Sequence, residues 1–264
     1  MGDAQSSHVG TIVWYDLLTH DAAAAWKFYG ALFGWTQVET ERPVGRYAMI
    51  RRGDRNLGGI VPLKAGDSFP SHWVAYVSVT DIEACCRAAS EAGGRLPVPP
   101  TDIPGIGRFA VVFDPQGAAI SPFQTETPPS SPRPDGTGAF CWMELLTPDT
   151  KGAGEFYGKV FGWEMKPGRP GAFGDYWTYR KGSHAVAGMV ERPAGADYPT
   201  RWLPYVQVEG LGEITAQAAR HGGSVLLPVT PIQDEGQFSI LRDPSGAVIG
   251  VFEAEAGTGS QPAL

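Results

Sequence analysis

The sequence predicts an α+β protein of two tandem domains, each built from a pair of βαβββ units. Three observations predict this. First, the 264-residue chain repeats itself. Residues 26–35 read WKFYGALFGW and residues 154–163 read GEFYGKVFGW, so that Trp35 and Trp163 lie 128 positions apart (163 − 35). Trp73 and Trp202, Tyr76 and Tyr205, and Asp114-Pro115 and Asp243-Pro244 recur at 129 (202 − 73). A repeat this long marks a duplicated domain rather than a solenoid unit, and about 120 residues is an ordinary domain size. Second, each half carries the pattern strand, helix, three strands, twice over. Third, the stretch ETPPSSPRPDGTG at 126–138 is rich in Pro, Ser and Gly and reads as a semi-rigid linker. The predicted domains are 9–126 and 139–255, joined by a linker at 127–138.

The elements follow in order. Residues 1–8 read as an unstructured lead. TIVWYDLL at 11–18 is apolar and β-branched, and predicts a strand. Thr19-His20-Asp21 then supplies a helix start. Ala22 to Ala25, Trp26, Phe28, Tyr29 and Leu32 give the helix 22–33 an apolar face, and Gly34 ends it. Strand signals follow near 36–40, 47–51 and 58–63. The second unit begins with a strand at 73–79. Asp81 opens a helix over 82–92 that closes at Gly93-Gly94, and strands follow near 95–98, 109–113 and 118–123. Asp114-Pro115-Gln116-Gly117 has the residues of a turn. The second half copies this: strand 140–146, helix 150–161, strands to about 191, strand 202–208, helix 211–221 and strands to about 253. The tail after Glu255 reads as unstructured.

Bulk properties narrow the function. Hydrophobic content of 42% and aromatic content of 11% are enough for two cores. A net charge of −7, a pI near 5.2 and the lack of any like-charge block argue against a nucleic-acid partner. No apolar run approaches the ~18 residues of a membrane span. The start MGDAQSSHVG carries no secretory signal. Cys85 and Cys86 are adjacent and Cys141 stands in the other half, which is neither a disulfide framework nor a zinc spacing. These features together predict a cytoplasmic protein, and they leave open whether it is a monomer or a homodimer.

The βαβββ order, with the FYxxxFGW and DPxG motifs, resembles the vicinal oxygen chelate superfamily. That group includes glyoxalase I, bleomycin-resistance proteins, fosfomycin-resistance enzymes and extradiol dioxygenases. The resemblance covers about 11–125 and 140–254. Within the group the chain looks most like two-domain actinobacterial glyoxalase-like proteins and accessory proteins of aromatic polyketide pathways. The resemblance implies that each pair of units forms a cupped mixed sheet with helices outside, and that the cup holds a ligand.

The resemblance also implies a divalent metal, which its members bind with His, Gln or Glu on the first strand of each unit and on a late strand. Carried over, the first-strand positions are Trp14, Val74, Trp142 and Leu203, and the late-strand positions are Ser121 and Gly250. None is a His, Cys, Asp or Glu. The histidines His8, His20, His72, His184 and His221 fall in tails, loops and helix ends, and none faces another in the repeat. A metal site needs three or four converging ligands, so the expectation is no metal and no other cofactor.

Strand alternation then says what the cups show instead. If residue 14 points inward, so does residue 16. Trp14 and Asp16 share a face in one half, and Trp142 and Glu144 in the other. By the same parity Tyr76, Ser121 and Phe123 face inward, as do Tyr205, Gly250 and Phe252. Aromatic walls with a few polar groups suit a small aromatic or polycyclic ligand. A buried carboxylate without a partner is costly, so Asp16 and Glu144 are candidates for ligand contact or for acid–base work.

The predicted function is thus metal-independent binding of a small aromatic or polyketide-like molecule, in resistance, sequestration or a biosynthetic accessory role. The ligand-binding set is Trp14, Asp16, Tyr76, Ser121, Phe123, Trp142, Glu144, Tyr205 and Phe252. Two alternatives stay open. One is a lyase, isomerase or dioxygenase-type enzyme using Asp16 or Glu144. The other is a structural protein whose cups are closed cores.

Overall fold

The structure, a computed structural model, describes residues 8–42, 45–126, 135–168 and 174–255. Most of the predicted lead, residues 127–134 of the linker and the tail beyond Glu255 lie outside the described residues. The first half runs β1 (Ile12–Thr19), α1 (Ala22–Phe33), β2 (Thr36–Arg42), β3 (Gly45–Arg52) and β4 (Arg55–Pro62), then β5 (His72–Ser78), α2 (Ile82–Glu91), β6 (Arg95–Ile103), β7 (Gly107–Phe113) and β8 (Ala119–Thr125). The second half repeats it with β9 (Phe140–Thr147), α3 (Thr150–Phe161), β10 (Glu164–Pro167), β11 (Tyr176–Lys181) and β12 (His184–Glu191), then β13 (Arg201–Gln207), α4 (Leu211–Arg220), β14 (Ser224–Ile232), β15 (Gly236–Arg242) and β16 (Val248–Ala254). The α+β class and the four βαβββ units are as the sequence predicts.

The helix boundaries have local causes. Asp21, Asp81 and Asp149 each accept a hydrogen bond from the backbone N–H three residues on, at 2.8 to 2.9 Å. This satisfies donors that a helix start leaves unpaired. Gly34 and Gly162 end α1 and α3 in the left-handed conformation that glycine adopts without strain. Helix α4 has no cap of its own, because Gly210 stands where the other three have Asp. Glu253 on β16 supplies it instead, accepting from the N–H groups of Gly210 and Leu211. Burial raises the Glu253 carboxyl, but bonds from Gln237, Gly210 and Leu211 outweigh it and hold the group below its usual value.

One sheet has the strand order β2-β3-β4-β1-β5-β8-β7-β6 and the other β10-β11-β12-β9-β13-β16-β15-β14. Both are mixed. β1 with β4, β5 with β8, β12 with β9 and β13 with β16 run parallel, and the hairpin neighbours run antiparallel. Strand β6 extends to Ile103, well beyond the predicted 95–98. It contains Pro97, Pro99 and Pro100 but lies at a sheet edge, where a missing N–H costs no ladder bond on the open side.

The described residues group into two compact units, and each draws on both halves of the chain. The first is taken from Met1–Trp14, Ala75–Arg133 and Met143–Trp202, the second from Tyr15–Val74, Pro134–Trp142 and Leu203–Leu264. In the first unit Tyr157 on α3 donates to Asp114 at 2.9 Å and accepts from the indole N–H of Trp202 at 2.8 Å. Trp163 donates to the carbonyl of Gly10 at 2.7 Å. In the second unit Tyr29 on α1 donates to Asp243 at 3.0 Å and accepts from Trp73 at 3.1 Å, while Trp35 donates to Gly138. The Phe-Tyr and Gly-Trp motifs thus build the cores. Their polar atoms are spent on a carboxylate or carbonyl from the opposite half, as burial requires.

Candidate functional site

Tyr15 stacks on Phe140 with ring centroids 3.9 Å apart, and Phe140 in turn meets Trp35 and Trp73 of the α1 cluster. Alternation along β1 therefore turns Trp14 and Asp16 to the opposite face of the strand. Gly59 on β4 lies beside Asp16 in the parallel register. The phenol of Tyr47 fills the space a Cβ on Gly59 would need, 2.1 Å from that position. From there Tyr47 donates a 2.8 Å hydrogen bond to Asp16. Asp16 is 5% exposed, so its charge sits in a place where a phenol donor matters. In the other half Glu144 lies beside Gly188 in the same register and is also buried. Tyr47 and its repeat partner Tyr176, both buried, were not among the predicted residues; their 129-residue spacing (176 − 47) was the available signal.

The first unit holds a set of partly buried rings. Tyr76 lies 6.2 Å from Phe123, edge to face at 83°, and 6.3 Å from Phe109. Phe109 is paired with Phe123 across β7 and β8, and Tyr76 is paired with Ser121 across β5 and β8. Trp14, Tyr76, Phe109 and Phe123 are each half-buried. Ser121 is buried and donates a 2.6 Å bond to the carbonyl of Ala110. Trp14, Tyr76, Ser121 and Phe123 thus belong to one unit, joined by Phe109, which the sequence reading did not single out. Asp16 belongs to the other unit with Tyr47.

The corresponding residues of the second unit are closed over. Trp142, Tyr205, Phe238 and Phe252 are all buried. Tyr205 is paired with Gly250 and lies across it, and Tyr205 and Phe238 are 6.2 Å apart. Glu144 lies in the other unit.

The residues at the family's ligand positions do not fit a divalent metal. Trp14, Val74, Trp142, Leu203 and Gly250 offer no side-chain donor suited to one, and the Ser121 hydroxyl is engaged with Ala110. Among the described residues no three His, Cys, Asp or Glu side chains converge. His20 and His72 face the carbonyls of Phe69 and Pro70. Arg108 is tied to Glu83 and Asp102.

The sequence model of the Glyoxalase/Bleomycin resistance protein/Dioxygenase superfamily matches residues 11–121 and again 140–251. The chain belongs to that superfamily. Among its curated relatives, "Putative glyoxylase CFP32" of Mycobacterium bovis is 32% identical over 92% of this chain and 95% of its own. "Anthracycline biosynthesis protein DauV" of Streptomyces sp. strain C5 is 29% identical over 92% and 93%. Among solved structures, the Mn(II)-bound glyoxalase from Novosphingobium aromaticivorans superimposes with a TM-score of 0.63 at 15% identity, covering 93% of this chain and 82% of that one. At that identity the likeness is one of fold. No helix among the described residues is long and apolar enough to cross a membrane.

Proposed function

We propose that this superfamily member binds a small, flat aromatic or polyketide-like molecule without a metal, in resistance, sequestration or a biosynthetic accessory role. The observation that carries this reading is the set of partly buried rings in one unit, Tyr76, Phe109 and Phe123 in mutual contact and Trp14 in the same unit. Large rings left partly open to solvent at a sheet face lose burial free energy, about 1.5–3 kcal/mol per large side chain when fully covered, that a stacking ligand can restore. The poor metal fit of the ligand positions and the relative named for anthracycline biosynthesis support the same reading.

The test is a titration of the protein with quinizarin, a dihydroxyanthraquinone, followed by tryptophan fluorescence in excess EDTA. Saturable quenching is expected, with at least a tenfold loss of affinity in Trp14→Ala. Binding that vanishes in EDTA and returns with zinc, nickel or iron overturns the metal-independent part. Binding that is unchanged in Trp14→Ala overturns the site.

A catalytic reading is favoured by one observation, the buried Tyr47–Asp16 hydrogen bond. A carboxylate held by a phenol in a low-dielectric place is equipped to move a proton. On that reading Asp16, or Glu144 in the other half, is the acid or base. Turnover of a bound aromatic substrate would be abolished in Asp16→Asn or Glu144→Gln while binding persists.

A further inference from the structure

The two halves bring the same rings to equivalent places, yet only one set is open. Trp14, Tyr76, Phe109 and Phe123 are all half-buried. Their repeat partners Trp142, Tyr205, Phe238 and Phe252 are 3%, 0%, 6% and 0% exposed. One substitution bears directly on the two tyrosines. Tyr205 lies flat over its register neighbour Gly250, its Cδ1 and Cε1 atoms 2.3 Å from where a Cβ would stand. In the first half that neighbour is Ser121, whose side chain is fixed by its bond to Ala110. Real atoms do not approach a Cβ that closely, so Tyr76 cannot take the position of Tyr205. Its ring instead meets Phe123 at 83° between planes.

Resting on the proposed function, we infer that the protein binds one aromatic molecule per chain, at the Tyr76 face, and that the Ser121/Gly250 difference decides which half is open. The second half shows what chemistry suits this face, since a phenol ring of the chain itself covers the sheet there. In the first half the ligand's ring system supplies that cover.

Two measurements on the full chain test this. Calorimetric titration with quinizarin should give one equivalent, with affinity at least tenfold weaker in Ser121→Gly, where Tyr76 is free to fold down. Nitration by tetranitromethane, mapped by mass spectrometry without ligand, should modify Tyr76 and spare Tyr205, and Ser121→Gly should protect Tyr76. Two equivalents per chain overturn the inference and leave the proposed function standing. So does equal nitration of the two tyrosines, or Tyr76 staying reactive in Ser121→Gly. No saturable binding, with Tyr76 still nitrated, overturns the proposed function and the ligand assignment together.

Discussion

Tyr157 donates its phenol hydrogen to Asp114, 43 positions earlier and in the other half of the chain, at 2.9 Å. Tyr29 does the same to Asp243. Each phenol also accepts from an indole, Trp202 or Trp73. Removing the hydroxyl leaves both a buried carboxylate oxygen and a buried N–H without that partner. Tyr157→Phe and Tyr29→Phe are therefore each expected to cost about 1–3 kcal/mol, read as a lower midpoint in urea unfolding with an unchanged slope. A loss below about 0.5 kcal/mol in both would mean that water restores these bonds.

Asp114 gives this arrangement a pH signature. Burial raises its carboxyl above the usual 3.8, and the hydrogen bonds from Ala118, Tyr157, Gln116 and Gly117 only partly offset that. A raised folded-state value means that the native protein binds the proton more readily than the unfolded chain. The associated stability is fully present below 3.8 and is lost as pH rises through the folded value. The unfolding free energy of the wild type, less that of Asp114→Asn, should accordingly climb as pH falls through that window. A flat difference would contradict it.

Gly94 and Gly223 mark where the Phe-Tyr motif packs. A Cβ on Gly94 would stand 2.9 Å from a ring carbon of Phe156, and one on Gly223 2.4 Å from a ring carbon of Phe28. Backbone carbonyls crowd both places as well, at 2.9 Å from Ala89 and Phe113 and 2.6 Å from Arg242. Neither neighbourhood can give way cheaply. Gly94→Ala and Gly223→Ala are each expected to destabilise by about 1–3 kcal/mol, with thermal melting as the check.

The cysteines should be silent in the native state. Cys85, Cys86 and Cys141 are all buried free thiols. Burial, with Cys86 and Asp81 nearby, pushes the Cys85 thiol up to about 12, and burial also raises Cys86. Reaction needs the thiolate. Ellman's reagent near pH 8 should titrate almost nothing until urea is added, and then all three. Rapid native reaction of any one would show a more open core than this.

Much of the fold was legible in the sequence because polarity patterns and end signals agree. The sequence places all four helices to within a residue, the fourth at 211–221 against Leu211–Arg220. What local reading does not supply is that helix's cap, which comes from Glu253 on a distant strand. The Tyr–Asp partnership was hidden for the same reason. FYxxxFGW read as a packing motif and DPxG as a turn, and both are; nothing within one half says that each satisfies the other half's polar atom. At the candidate site, alternation puts Trp14 and Asp16 on one face of β1, and the strand register sets Tyr76 beside Ser121. Alternation gives a face, however, and not what covers it. Tyr205 lies across Gly250, whereas Tyr76 has Ser121 as its neighbour across the sheet, a difference that alternation does not reveal.

The crossed Tyr–Asp bonds also say how the duplication works. Each half carries one tyrosine whose acceptor it does not possess and one aspartate whose donor it does not possess. Two identical halves would satisfy each other completely, so a single half behaves as one subunit of a symmetric pair. Joining them in one polypeptide turns a concentration-dependent association into an intramolecular one, at an effective concentration set by the connecting segment. Copies joined in one chain need not stay alike, and here Tyr205 lies across Gly250 where Tyr76 has Ser121 beside it.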